Sequence, residues 1–170
     1  PRGINYNTNG ALTLEGVTVK GTNVTYALNL PGSSDGAAVT INNSSLTANI
    51  ALNIWGEDAE ITATDSHFIS VDNSTAEGYA AIKFNNDGAT SAENTSLDVV
   101  GGSIIAYKED GTTPSIALEI LTETDNYNIS STTTVVGDIV KSVAIVKYTN
   151  TTDFYSCAKL QAAIDEAIAT

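Results

Sequence analysis

A four-residue pattern of small, apolar, polar and apolar side chains recurs along this chain and restricts its fold more than any other feature. It reads Ala27-Leu28-Asn29-Leu30, Ala51-Leu52-Asn53-Ile54, Ala81-Ile82-Lys83-Phe84 and Ala117-Leu118-Glu119-Ile120, with a looser copy at Gly3-Ile4-Asn5-Tyr6. Its second position falls at residues 4, 28, 52, 82 and 118, in steps of 24, 24, 30 and 36 residues. Repeats of this period signal stacked architectures. On a strand the second and fourth positions face one side and the third faces the other. The Asn, Lys or Glu of the third position is therefore expected outside.

Two further strands recur in step with this motif. One reads Leu12-Thr13-Leu14-Glu15-Gly16, Val39-Thr40-Ile41-Asn42-Asn43, Ile61-Thr62-Ala63-Thr64-Asp65 and Leu97-Asp98-Val99-Val100-Gly101. Its first and third positions are apolar, and its fifth is Gly, Asn, Asp or Gly. Those residues tolerate a left-handed backbone, so a sharp corner is expected at that point of every unit. The other strand follows the corner as Val17-Thr18-Val19, Leu46-Thr47-Ala48, Phe68-Ile69-Ser70-Val71 and Ile104-Ile105-Ala106-Tyr107. Two residues intervene in the last three copies (Ser44-Ser45, Ser66-His67, Gly102-Ser103), and the first copy is read as skipping them. The unit's extra length falls in loops, at 72–78, 85–95 and 108–115, as a stacked coil tolerates.

The expected fold is all-β: a parallel β-helix of three strands per coil and about four to five coils. Like residues then stack in columns. Two of them are Ile4, Leu28, Leu52, Ile82, Leu118 and Tyr6, Leu30, Ile54, Phe84, Ile120. The others are Leu12, Val39, Ile61, Leu97 and Leu14, Ile41, Ala63, Val99. Each buried Leu or Ile contributes roughly 1.5–3 kcal/mol by transfer from water, so the columns make a core without disulfides. Thr133 to Gly137 is read as a fifth copy of the strand before the corner, and Ser142 to Tyr148 as a terminal strand closing the end. After a polar break, Cys157 to Ile168 has Leu160, Ile164 and Ile168 at helical spacing, with Ser156 as N-cap. The solenoid is placed at 1–148, and a linker with a short amphipathic C-terminal helix at 149–170.

Charge and composition exclude several functions. The chain carries 20 acidic and 7 basic residues, a net charge of -13, which repels nucleic acid and anionic lipid. Cys157 is the only cysteine, so neither an intrachain disulfide nor a cysteine metal cage can form. No run of 18 apolar residues suggests membrane insertion within this segment.

The three-strand coil with Asn or Gly at its tight corner resembles the right-handed parallel β-helix, the pectate-lyase-like superfold. More narrowly, it resembles repetitive β-helical surface proteins of gut bacteria. In those a helix of the type Leu160-Gln161-Ala162-Ala163-Ile164-Asp165-Glu166-Ala167 opens a β-helical segment and caps it; here it stands at the C-terminus. That placement suggests either a cap on the far end or the start of a following repeat. The motif at residues 3–6 suggests a segment of a longer modular chain with flanking repeats. The resemblance implies a non-catalytic stalk or adhesive module of a secreted or cell-surface bacterial protein. Its partners would be surface glycans or host and other cell-surface proteins.

The alternative implied by the superfold is a carbohydrate-active protein, either glycan-binding or a degenerate polysaccharide lyase or hydrolase. Lyases of this superfold pair calcium-binding carboxylates with an Arg or Lys base, and its pectin hydrolases cluster aspartates near Gly-His-Gly. This chain has one arginine, Arg2, and neither an Asp-Asp pair nor Gly-His-Gly. No catalytic residue and no metal ligand is therefore expected. His67, the single histidine, is read as an exposed corner residue. Asp35, Glu57, Asp58, Asp65, Asp72, Asp87, Glu109 and Asp110 are read as solvated loop charge, with Ca²⁺ the one cofactor they leave open. Trp55, with Tyr79 or Tyr107, is the candidate sugar-stacking platform, against a packing role at a corner. Asn-x-Ser/Thr triplets at Asn23, Asn42, Asn43, Asn73, Asn94, Asn128 and Asn150 matter only in a host that glycosylates them.

Overall fold

The repeats form the coil that their period predicts. A computed structural model of the chain describes residues 1–21, 24–71, 80–86, 91–122, 126–141, 144–147 and 154–157. The strands of the repeating motif make one six-stranded parallel sheet, sheet A. They are β1 (Arg2–Asn5), β4 (Tyr26–Leu30), β7 (Ile50–Ile54), β10 (Ala80–Phe84), β13 (Ile116–Ile120) and β16 (Asp138–Lys141), in that spatial order. The strands before the corner make sheet B: β2 (Ala11–Glu15), β5 (Ala38–Asn42), β8 (Glu60–Thr64), β11 (Ser96–Val100) and β14 (Asn126–Ile129). Those after the corner make sheet C: β3 (Thr18–Lys20), β6 (Ser45–Ala48), β9 (His67–Val71), β12 (Ser103–Tyr107) and β15 (Thr134–Val136). The result is a three-strand-per-coil parallel β-helix in which each strand pairs with its own copy one coil away.

The four expected columns stand in register. Leu28 pairs with Leu52, Leu52 with Ile82 and Ile82 with Leu118. Leu12, Val39, Ile61 and Leu97 align likewise through sheet B. Leu28, Leu52, Ile82, Leu118, Ile41 and Phe84 are completely buried in one continuous core. The corners follow the residue chemistry as well. Gly16, Asn43, Asp65 and Gly101 have φ of 64°, 48°, 47° and 72°, all left-handed.

Three details of the repeat differ from expectation. The first coil does not skip two residues: Thr18 pairs with Ser45 and Val19 with Leu46, so Val17-Thr18 fill the places of Ser44-Ser45. The valines there obscure a position that is polar or glycine in later coils. The fifth copy of the strand before the corner is β14, with Tyr127 beside Leu97 and Ile129 beside Val99. Thr134 to Val136 instead continues sheet C, and Asp138–Lys141 does not turn away but adds the last strand of sheet A. Lastly, β17 (Ala144–Lys147) does not join the three sheets; it pairs antiparallel with β18 (Phe154–Cys157). Ser156 and Cys157 are therefore strand residues, not a cap and first helical turn. The remainder of the expected C-terminal helix, 158–168, lies outside the described residues.

Sheet A also departs from simple alternation. In sheet B, β8 and β11 alternate exposed and buried positions. In sheet A, β7 is buried at every position, and β4 and β13 at all but the first. The polar third position is exposed only in the first coil, at Asn5; Asn29, Asn53 and Glu119 are only 2%, 1% and 5% exposed. Local periodicity reports which side a residue takes, not what covers that side. The small first position has its own cause. In the second coil sheets C and A meet at a tight corner, with one residue, Asn49, between β6 and β7. A Cβ placed on Gly3 would lie 2.6 Å from Val19 Cγ1, and Ala27, Ala51, Ala81 and Ala117 of the same column are completely buried.

A buried amide needs partners, and here the stack supplies them. Asn29 donates to Asn5 Oδ1 at 2.6 Å, Asn53 to Asn29 Oδ1 at 2.7 Å and Asn85 to Asn53 Oδ1 at 2.7 Å. Where the column changes to Lys83 and Glu119, the two form an ion pair at 2.8 Å. A second polar column lies at the B–C corner. Ser66 Oγ donates to the Ile41 carbonyl at 3.1 Å and accepts the Ser44 N–H at 3.2 Å, and Ser44 Oγ accepts the Val17 N–H at 3.0 Å. Above Ser66 stands Gly102, where a Cβ would come within 2.0 Å of the Ser66 carbonyl oxygen.

Two stability measurements test this construction. Gly16 has φ +64° with open space around its Cβ direction, whereas Gly102 has φ +65° and meets Ser66 backbone. Gly16→Ala should cost about 1–2 kcal/mol from backbone conformation alone; Gly102→Ala should cost clearly more in the same urea titration. Equal losses would mean that the close approach at Gly102 carries no weight. Asn53→Ala takes the donor from Asn29 Oδ1, whereas Asn85 keeps its bond to the Ile54 carbonyl, so it should cost about 1–3 kcal/mol. A loss below about 0.5 kcal/mol, the ordinary scale of surface substitutions, would show that the ladder contributes little.

Candidate functional site

The coil sets chemistry-bearing residues at three corners and on the outer faces of sheets B and C. Trp55 directly follows β7. Its N–H donates to the Leu30 carbonyl at 2.7 Å, which continues the sheet A ladder by one residue, and its side chain is half-buried. Tyr107 ends β12 at the C–A corner and is also half-buried. Trp55 lies at the A–B corner, so a full sheet A strand separates the two; the structure does not bring them together. Tyr79 lies outside the described residues.

The loop after Tyr107 is shaped by a carboxylate. The chain folds back so that Tyr107 bridges Pro114, Lys108 N–H donates to the Thr113 carbonyl, and Ser115 N–H donates to the Ala106 carbonyl. Asp110 organises the turn by accepting from the Thr112 and Thr113 N–H groups at 2.8 and 2.7 Å and from the Thr113 hydroxyl. The Thr113 hydroxyl foremost, then the two N–H groups, hold the Asp110 carboxyl well below the usual carboxylate range.

The other acidic residues likewise serve local structure. Asp35 Oδ1 accepts the Glu57 N–H at 3.0 Å, tying two successive A–B corners together, and Asp58 N–H donates to the Glu93 carbonyl. Asp65 is itself a left-handed corner. Glu15 Oε1 accepts from Asn43 at 2.9 Å, and this bond lowers its pKa; Asp98 accepts from Asn128 at 3.0 Å. Asp72 and Asp87 lie outside the described residues. Among the described residues, no three of His, Cys, Asp and Glu come together in a group that could hold a metal ion.

His67 opens β9 as an exposed residue, and its Nδ1 is 2.9 Å from Ser103 Oγ one coil away. Both belong to an outward column of sheet C, Thr18, Ser45, His67, Ser103 and Thr134. Beside it run Ile69 with Ile105 and Val71 with Tyr107, of which Val71 is exposed. Sheet B presents Thr13, Thr40, Thr62, Asp98 and Asn128 in one outward column. Neighbouring copies stand about 4.8 Å apart, the inter-strand spacing. Such faces offer regular contact chemistry, hydroxyl-rich on sheet B and part apolar on sheet C. The sequence carried the signal for both in the outward positions of its strands.

The Asp110 turn predicts a pH response. A carboxyl whose folded pKa is depressed stabilises the fold above its unfolded pKa, and that stabilisation fades as pH falls through the folded pKa. The Asp110 carboxyl resonance should therefore stay ionised below about pH 3.9, where an unperturbed aspartate is half-protonated. A carboxyl NMR titration with an ordinary aspartate midpoint would rule out the turn as described.

No family model matches the chain, and no curated protein or solved structure matches it.

Proposed function

We propose that this chain is a non-catalytic β-solenoid module of a secreted or cell-surface bacterial protein, serving as a stalk or a binding surface. The observation that carries this reading is the parallel coil-on-coil stacking of sheets A, B and C, in register but for one irregularity where β13 meets β16. Such a stack is stiff, because every strand is hydrogen-bonded along the long axis and every core column is continuous. Its loops vary far more in length than its strands, which are three to five residues long, and this suits a rod that displays contact chemistry at its corners. The described carboxylates favour this reading over the enzymatic one. Asp35, Glu15, Asp98 and Asp110 each accept a hydrogen bond within their own corner, turn or sheet face rather than converging with a base in one groove. A right-handed winding of the pectate-lyase-like kind fits the strong handedness preference of parallel crossovers. The likeness to β-helical surface proteins of gut bacteria rests on the repeat grammar.

The partners that fit are surface glycans and host or other cell-surface proteins. Trp55 is the residue best placed for a glycan, since a half-buried indole at a corner offers a ring edge or face to a sugar. Two assays test the proposal. Incubation with a panel of polyuronates and neutral polysaccharides should release no new reducing ends or unsaturated products; turnover above the blank would overturn the non-catalytic assignment. On a glycan array, any signal that depends on the Trp55 corner should fall at least tenfold in Trp55→Ala, about 1.4 kcal/mol, while Tyr107→Ala at the other corner leaves it unchanged. A signal that falls in both variants would point to a different contact surface.

A further inference from the structure

An Asn or Asp followed by Gly occurs three times among the described residues, each time in a loop: Asn9-Gly10, Asp35-Gly36 and Asp110-Gly111. The pairing is reactive. The glycine nitrogen can approach the side-chain carbonyl carbon of the residue before it, because glycine has no Cβ in the way and turns freely. All three pairs are exposed, so access to solvent does not tell them apart. Hydrogen bonding does. Asp35 Oδ1 accepts the Glu57 N–H at 3.0 Å, and the Gly36 N–H donates to the Glu57 carbonyl at 2.8 Å. Asp110 accepts from Thr112 and Thr113, and the Gly111 N–H donates to the Lys108 carbonyl at 2.8 Å. In both pairs the attacking nitrogen and the carboxyl are held. Among the described residues, neither the Asn9 side chain nor the Gly10 N–H has a hydrogen-bond partner.

The freedom of the Gly10 N–H is set within its own loop and by the coil that follows. The register of Ala11 with Ala38 and of Ala38 with Glu60 makes Ala37 and Ala59 the counterparts of Gly10. The Ala37 N–H donates to the Ser34 carbonyl inside its own loop, and the Ala59 N–H donates to Thr95 Oγ1, one coil on. Gly10 is offered neither. Its loop, 6–10, is shorter than 31–37 and lacks the 3-10 turn Gly32–Ser34 that presents the Ser34 carbonyl. The residue facing it in the next coil is Ala37, which has no hydroxyl to take the part of Thr95. The Gly10 carbonyl, in contrast, is engaged: it accepts the Ala38 N–H at 3.2 Å.

We propose that Asn9 is a site of spontaneous deamidation and backbone isomerisation, with water as the only co-reactant. The Gly10 nitrogen gives its proton to solvent base and attacks Asn9 Cγ. The N–Cγ bond forms, the Cγ–Nδ2 bond breaks, and ammonia leaves with a proton taken back from solvent. The product is a cyclic succinimide, which water opens at one of its two carbonyl carbons. Addition at Cγ leaves an ordinary aspartate. Addition at the Asn9 backbone carbonyl carbon leaves isoaspartate, in which the main chain runs through Cγ. Nothing is oxidised or reduced. Either product adds one negative charge to a chain that already carries -13. Isoaspartate also lengthens the main chain immediately before β2, where the Gly10 carbonyl begins the pairing of β2 with β5. The proposal goes beyond the stalk reading and does not rest on it.

The test is timed incubation of the full 170-residue chain at physiological temperature and mildly alkaline pH, folded and in guanidinium chloride. Peptide mapping with electron-transfer fragmentation separates asparagine, aspartate and isoaspartate at each position, and released ammonia is measured alongside. Asn9 should convert in the folded chain at a rate within about threefold of that in denaturant, since no local opening is needed first. Isomerisation at Asp35 and Asp110 should be at least about tenfold slower in the folded chain than in denaturant, since their loops must open before they react. Asn9→Gln keeps the amide but enlarges the ring to be closed, and should abolish ammonia release from this position with an unchanged circular dichroism spectrum. An Asn9 that stays intact in the folded chain while it converts in denaturant would overturn the proposal. So would equal protection at Asn9, Asp35 and Asp110, or ammonia release from the Gln variant's peptide at the wild-type rate.

Discussion

Parallel in-register stacking is the constraint on which the rest of this structure depends. Each residue's nearest non-local neighbours are its own counterparts one coil up and one coil down, about 4.8 Å away. A column of Leu and Ile therefore packs without further instruction, as Leu28, Leu52, Ile82 and Leu118 do. The same geometry gives a buried polar column its partners, because an amide above an amide can donate to one neighbour and accept from the other. Asn5, Asn29 and Asn53 do this, and Asn85, two residues beyond the next member Lys83, donates to Asn53 to complete three side-chain hydrogen bonds. One rule thus satisfies the apolar core and the polar line within sheet A. It also makes a strand with both faces covered tolerable despite a polar side chain at its centre.

The corners are the second layer of the design. Left-handed backbone is open to few residue types, and the four corner positions use Gly, Asn, Asp and Gly. Where the corner is tightest the choice narrows further. Gly102 sits over Ser66 so closely that no side chain fits between the coils. Corners of this kind leave the loops free to lengthen elsewhere, and Asp110 shows how a longer one is held, by a carboxylate gathering the donors of its own turn.

The architecture was legible in the sequence because stacking converts a weak strand signal into four aligned copies. The corner residues carried the same message independently of the core columns. What was not legible has physical reasons. The fifth coil puts Tyr127 where Leu or Ile stood and lacks a Gly or Asn corner, so its first strand escaped the pattern and a sheet C strand was read in its place. The first coil hides its corner filling behind Val17, which substitutes for a polar residue at an edge that packs less tightly. The burial of Asn29, Asn53 and Glu119 could not be read from alternation, since alternation does not say whether the second face is covered. Of the candidate site, the positions of Trp55 and Tyr107 at corners were foreseeable, but their separation by a whole strand of sheet A was not. Whether a residue ends a motif strand or a sheet C strand decides which corner it occupies, and only the closed coil shows how far apart those corners are.

The ion pair of Lys83 with Glu119 has a consequence for how such a chain can change over generations. A solenoid built from identical coils could lose, gain or exchange units freely, since any coil would sit equally well on any other. Here the central polar column runs Asn, Asn, Asn, Lys, Glu, so its members are no longer equivalent. A coil bearing Lys83 inserted between two asparagine coils would lose its ion pair with Glu119 in a largely buried layer. The asparagine coils can be duplicated or deleted among themselves. The lysine and glutamate coils are favoured as neighbours, and the repeat has in this way acquired a preference for which coils adjoin.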